Sequence, residues 1–119
     1  MSDAHGQESY FAVVCIDKPG MVQVRNRTRK DHLEYLAARL DMIKLAGPLN
    51  DDSGSAGVGS LYVLRSASRI EVEAFLTNEP YFKAGIFAVT HVHRWRHALP
   101  ESRTGQLQEE IARARMQAA

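Results

Sequence analysis

Between Tyr10 and Leu40 the chain changes its hydrophobic period, and that change constrains its fold more than any single motif does. Tyr10 to Ile16 is a short apolar, β-branched run. It is closed by Asp17, Lys18, Pro19 and Gly20, turn formers that either restrict φ or free it. The run predicts a buried first strand. From about Val24, Leu33, Leu36, Ala37 and Leu40 recur at three- and four-residue intervals while Asp31, Glu34, Arg39 and Asp41 take other faces. That spacing predicts an amphipathic helix.

The same reading carries on down the chain. Met42 to Leu49 is apolar but contains Gly47 and Pro48, poor helix residues, so a second strand is expected there. Asn50 to Gly57, rich in Asp, Ser and Gly, reads as a connection between neighbouring strands, and Val58 to Ser66 as the third strand. Ile70, Val72, Ala74, Phe75 and Leu76 suit a short helix capped by Ser68 and ending near Asn78. Pro80 and Gly85 bracket a turn-like piece before a fourth strand, Ile86 to Val92. The order β-α-β-β-α-β is that of a ferredoxin-like α+β unit, in which two helices cover one face of an antiparallel sheet. The other face needs a cover, and a second subunit is the simplest one. Gln106 to Ala119 adds a polar, Ala-rich tail expected to be an extra C-terminal helix that packs on the partner or frays. The expected organisation is a flexible segment 1–9, a single domain 10–98 and the tail 99–119.

Composition narrows the class of partner. The chain has 119 residues, enough for one core, and its 15 Lys and Arg against 14 Asp and Glu leave a formal charge of +1. A charge so near zero gives little general attraction to nucleic acid or acidic membrane, so anion binding must come from local clusters. Cys15, the one cysteine, lies inside the first apolar run and is read as a core residue of a protein from a reducing compartment. The polar start, Met1 to Ser9, does not have the pattern of a secretory signal, and no apolar run approaches the ~20 residues of a spanning helix. A cytoplasmic location is the expectation.

Arg25, Arg29 and His32, spaced by four and three residues, fall along one stripe of the first helix. Guanidinium offers planar donors that fork onto a carboxylate, enolate or phenolate, and imidazole, titrating near pH 6.5, both accepts and donates protons. The bland alternative is a solvated helix face, with the arginines paired to Asp31 or Glu34 and His32 packed at the helix edge.

Asp17-Lys18-Pro19-Gly20, Arg25, Arg29, His32-Leu33, Tyr35-Leu36, Gly47-Pro48-Leu49, Gly57, Gly59-Ser60, Glu79-Pro80-Tyr81, Gly85 and Arg94-Trp95-Arg96 stand in the order seen in YciI-like (YCII-related) proteins. The chain resembles that family from Phe11 to Ala98. The resemblance implies a dimeric α+β barrel, in which two ferredoxin-like subunits pack sheet to sheet, with a pocket between sheet and helices in each. It further implies that His32 and the carboxylate before Pro-Tyr form the acid/base pair. The family pattern has Asp at that position and this chain has Glu79, whose extra methylene shifts the charge by about one bond length and weakens a pair that must stay within hydrogen-bond reach.

Gly47 and Pro48 shape a strand exit and are candidates to line the pocket; Ser60 offers a hydroxyl for binding; Tyr81 is expected to bury its ring. His91 and His93 alternate onto one strand face, with His97 following, but two arginines beside them oppose a cation and no metal is expected. Arg94-Trp95-Arg96 is too short a basic patch for nucleic acid and reads as a strand end with Trp95 at the barrel rim. The functional expectation is a small, cofactor-independent homodimeric enzyme. His32 would move the proton, oriented by Glu79, in an isomerisation or elimination on a small anionic or carbonyl-bearing metabolite, with Arg29 and Arg25 holding the charge. The alternative is a non-catalytic dimeric ligand-binding or accessory protein using the same pocket.

Overall fold

The first apolar run is a strand with partners on both edges. β1 (Tyr10–Asp17) pairs antiparallel with β3 (Gly57–Arg65) on one side and β4 (Phe87–Trp95) on the other, and β2 (Ile43–Asn50) pairs antiparallel with β3. The sheet order is therefore β2-β3-β1-β4. With α1 (Val22–Ala37) between β1 and β2 and α2 (Arg69–Thr77) between β3 and β4, this is the ferredoxin-like α+β arrangement that the hydrophobic periods predict. The computed structural model describes residues 9–119; the segment 1–9 expected to be flexible lies, apart from Ser9, outside the described residues.

Strand alternation sorts the side chains into two faces. Phe11, Val13 and Cys15 of β1 and Tyr62 and Leu64 of β3 face the helices, where Val72, Phe75 and Leu76 of α2 close the buried core. Tyr35 and Leu36 of α1 pack against the same cluster. On the opposite face Ile16, Leu45 and Val89 stay exposed, at 41%, 48% and 43%. Gly59 is required where β3 meets β1, because a Cβ there would sit 2.3 Å from the Cys15 carbonyl oxygen.

Helix α2 starts where its serine predicts: Ser68 is the N-cap and its hydroxyl accepts from the Glu71 amide. Two features differ from expectation, and the C-terminal helix is as expected. The turn-like piece after Asn78 contains a one-turn helix, α3 (Pro80–Lys83), started by proline at its first position and left through Gly85 at φ +73°. Strand β4 runs three residues further than periodicity suggests, to Trp95, because the ring of Trp95 packs edge-on against Tyr10, its partner in the β1 ladder, at 5.6 Å. The tail does form a helix, α4 (Gln106–Ala118), but none of its residues is buried; ion pairs Arg96–Glu110 and Arg103–Glu109 tie its start to the preceding chain.

Cys15 is fully buried, and burial pushes its thiol from 9.0 up to about 11. The neutral thiol therefore favours the fold fully below the unfolded value, and that contribution is lost as pH rises through the folded one. The native protein should leave a thiol reagent such as DTNB unreacted at pH 8 and consume one equivalent once unfolded in guanidinium. Prompt reaction of the native form would contradict the core assignment.

Candidate functional site

The polar stripe of α1 points into the space between helix and sheet. Arg25, Arg29 and His32 line one cavity of about 210 Å³ with Leu33 and Leu36 of the same helix, Ala46, Gly47 and Pro48 of β2, Ser60 and Tyr62 of β3, and Tyr81 of α3. The sequence-designated residues thus converge on the cavity, except Glu79, which is buried behind its wall and bonded to His32.

Glu79 is wholly buried, and its carboxylate is held from three elements. His32 Nδ1 of α1 lies 2.8 Å from Oε1, the Tyr81 amide of α3 donates to the same oxygen at 3.0 Å, and the Tyr62 hydroxyl of β3 donates to Oε2 at 2.5 Å. Burial, with the neighbouring Glu79 charge and its hydrogen bond adding to it, pushes the Tyr62 hydroxyl far above the usual phenol range. Tyr62 therefore keeps its proton and is the donor. With every other contact donating to the carboxylate, Nδ1–H is assigned as the third donor, which leaves Nε2 of the neutral ring as the proton acceptor. The imidazole is also clamped flat against Tyr81, ring centres 3.8 Å apart and planes 5° from parallel. The extra methylene of Glu79 does not open the pair, because Glu79 is the N-cap of α3 and its side chain folds back over the first turn.

Arg25 departs from its sequence reading. It is neither a solvated helix charge nor free to fork onto a substrate. At 8% exposure it forks onto Asp17, Nε to Oδ2 at 2.6 Å and Nη2 to Oδ1 at 2.9 Å. Nη2 also donates to the Gly59 carbonyl at 2.7 Å and the Ser60 hydroxyl at 3.2 Å. Burial opposes the guanidinium charge, but the hydrogen bond and charge of Asp17 outweigh it and hold Arg25 above its ordinary value. Ser60 is accordingly buried and engaged. Arg29 stays exposed at the cavity wall, with no side-chain partner among the described residues, and Glu34 pairs with Lys30.

Sequence reasoning missed Asp17 and Tyr62. Both signals were in the alternation: Asp17 continues the helix-facing row Phe11, Val13, Cys15, and Tyr62 shares the face of Ser60 two residues before it. Tyr81 is 3% exposed, as expected. His91 and His93 do share a face, ring centres 6.4 Å apart, and among the described residues no three His, Cys, Asp or Glu side chains gather to hold a metal. A wider groove of about 720 Å³ runs between the end of α1 and α2, lined by Tyr35, Arg39, Met42 and Phe75 among others. It has the volume but no histidine, and its Arg39 lies 3.6 Å above the Tyr35 ring.

A family model described as the YCII-related domain matches residues 9–96. The chain belongs to the YCII-related family. This YCII-family chain is 34% identical to the 5-chloro-2-hydroxyhydroquinone dehydrochlorinase of Burkholderia phenoliruptrix AC1100, solved in complex with 2,5-dihydroxybenzoquinone. The match covers 75% of this chain and 95% of that one, with a TM-score of 0.69. Weaker matches are the C-terminal domain of the MgtC protein from Mycobacterium tuberculosis, at 16% identity and TM-score 0.44, and a hypothetical Arabidopsis thaliana protein, at 13% and 0.46. They cover 85% and 86% of this chain and 100% and 99% of theirs. No curated protein matches. The YCII-family chain is therefore similar, over most of its length, to an enzyme that acts on a small hydroxylated ring. No described helix is long and apolar enough to cross a membrane.

Proposed function

We propose that this protein is an acid/base enzyme that eliminates a leaving group from, or isomerises, a small planar hydroxylated or quinonoid ring, without a cofactor. The observation that carries this reading is the His32–Glu79 pair, 2.8 Å apart, with His32 on the cavity wall and Nε2 unengaged among the described residues. A cavity of about 210 Å³ suits a single ring, being smaller than the pockets of roughly 300 Å³ and more that hold drug-sized ligands.

Loss of HCl from a chlorinated hydroxyhydroquinone illustrates why one imidazole suffices. Two hydroxyls lose their protons, the chlorine-bearing carbon gains one, and chloride leaves with its bonding pair, so a hydroxyquinone forms without an oxidant. His32 would take one hydroxyl proton through Nε2 and return it to carbon, the second hydroxyl proton would pass to water as the acid equivalent of the released chloride, and Glu79 would hold the imidazole in the accepting tautomer. Arg29 would hold the phenolate as it develops, and Gly47, Pro48 and Tyr81 would wall the ring. The Nη1 edge of Arg25 and the hydroxyl of Ser60 would form the far end of the site.

The same reading includes a homodimer that covers the exposed sheet face carrying Ile16, Leu45 and Val89. The experiment follows chloride release from 5-chloro-2-hydroxyhydroquinone and binding of 2,5-dihydroxybenzoquinone by thermal shift. His32→Ala should bind the quinone but lose turnover by a hundredfold or more. Binding without turnover in the unaltered protein would instead favour a ligand-binding role, and turnover untouched by His32→Ala would overturn the assignment.

A further inference from the structure

We propose that Tyr62 is a positioning residue for His32: through its hydroxyl on Glu79 it biases the His32–Glu79 pair towards its proton-accepting state. The carboxylate has no solvent to balance its charge, being fully buried, so its hydrogen-bond donors do that work. Tyr62 occupies Oε2 alone at 2.5 Å, while Oε1 is shared by His32 and the Tyr81 amide. A donor on a carboxylate favours the more negative state of any pair that carboxylate belongs to. Here that state is neutral imidazole beside carboxylate. Adding a proton gives either imidazolium beside carboxylate or imidazole beside carboxylic acid. In both cases the Tyr62 hydroxyl faces less net negative charge, so its contribution opposes protonation wherever the proton sits.

The other groups around the pair do not cancel this effect. From α1 come Arg25, already neutralised by Asp17, Arg29 at the cavity wall, and Tyr35, which donates to the Phe75 carbonyl. From β1 comes Cys15, held as a neutral thiol, and from α3 the Tyr81 ring stacked on His32. Among the described residues, Tyr62 is the one ionisable side chain besides His32 that bonds Glu79 directly.

This deepens the acid/base reading of His32 and depends on it only for its catalytic consequence, because the test needs no substrate. It is a ¹⁵N NMR titration of the His32 ring in the whole protein. Tyr62→Phe removes one charge-assisted hydrogen bond and should raise the pair's titration midpoint by about one pH unit or more. Replacing Tyr62 with 3,5-difluorotyrosine keeps the shape, makes the hydroxyl a stronger donor and should shift the midpoint downward. Opposite shifts support the proposal, and the fluorinated protein decides alone if Tyr62→Phe does not fold. An unmoved or lowered midpoint in folded Tyr62→Phe, or an unmoved or raised one with difluorotyrosine, overturns it. Either failure leaves the enzyme reading to its own chloride-release assay.

Discussion

Glu79→Gln is expected to leave the fold in place and to cut turnover roughly ten- to a hundredfold. The carboxylate accepts from His32, Tyr62 and the Tyr81 amide. An amide of the same shape offers one accepting oxygen and one donating NH₂. Tyr62 can turn its hydroxyl and accept, but the Tyr81 amide cannot, so it retains the oxygen. Because His32 shares that oxygen with the Tyr81 amide, Nδ1–H stays a donor and the NH₂ group faces Tyr62, so what is lost is the negative charge that would stabilise the imidazolium formed when Nε2 takes a proton. The check is kcat for chloride release together with the ¹⁵N shifts of the His32 ring. Nδ1 should remain protonated, and a variant with unchanged kcat would show that the Glu79 charge does not support His32.

Asp17→Ala is expected to be the most damaging single change to stability among the charged residues. It leaves the Arg25 guanidinium buried without the fork that neutralises it, with only the Gly59 carbonyl and the Ser60 hydroxyl as acceptors. Breaking one side of such a pair costs about 3 kcal/mol, equivalent to about 10 °C or more in Tm for a domain of this size. The paired replacement Asp17→Leu with Arg25→Met should recover most of that loss, because the cost arises from the orphaned charge and not from the missing attraction. Urea unfolding of the three proteins tests this. A loss below about 1 kcal/mol for Asp17→Ala would mean that water reaches Arg25.

Much of this architecture was legible from periodicity because each element is a local decision. The change from the Tyr10–Ile16 run to the α1 spacing, the Ser68 cap and the Gly/Pro punctuation all act within a few residues. The α1 stripe was legible for the same reason, since helical geometry alone brings Arg25, Arg29 and His32 onto one face. What a residue on that stripe would meet was not legible. Arg25 finds Asp17 and His32 finds Glu79 only after the sheet has assembled, and the pairing of His32 with Glu79 came from the family resemblance and not from spacing. Tyr62 shows the limit most clearly: its face could be read by alternation, but its partner, seventeen positions away, could not. The end of β4 escaped for a similar reason, being set by the contact of Trp95 with Tyr10 across the ladder.

Glu79 is at once the partner of His32 and the N-cap of α3. A four-residue helix has almost no cooperativity of its own, so this short wall of the cavity is held shut by the same carboxylate that steers the imidazole. Its local opening is therefore coupled to the chemistry. The Tyr81 amide proton, protected from solvent deuterium only while it bonds Oε1, becomes a timer for that opening. Ligands that hold His32 in place should slow its exchange even though they never touch it, and the lifetime of the closed wall then sets an upper limit on how long a reacting ring is shielded from water.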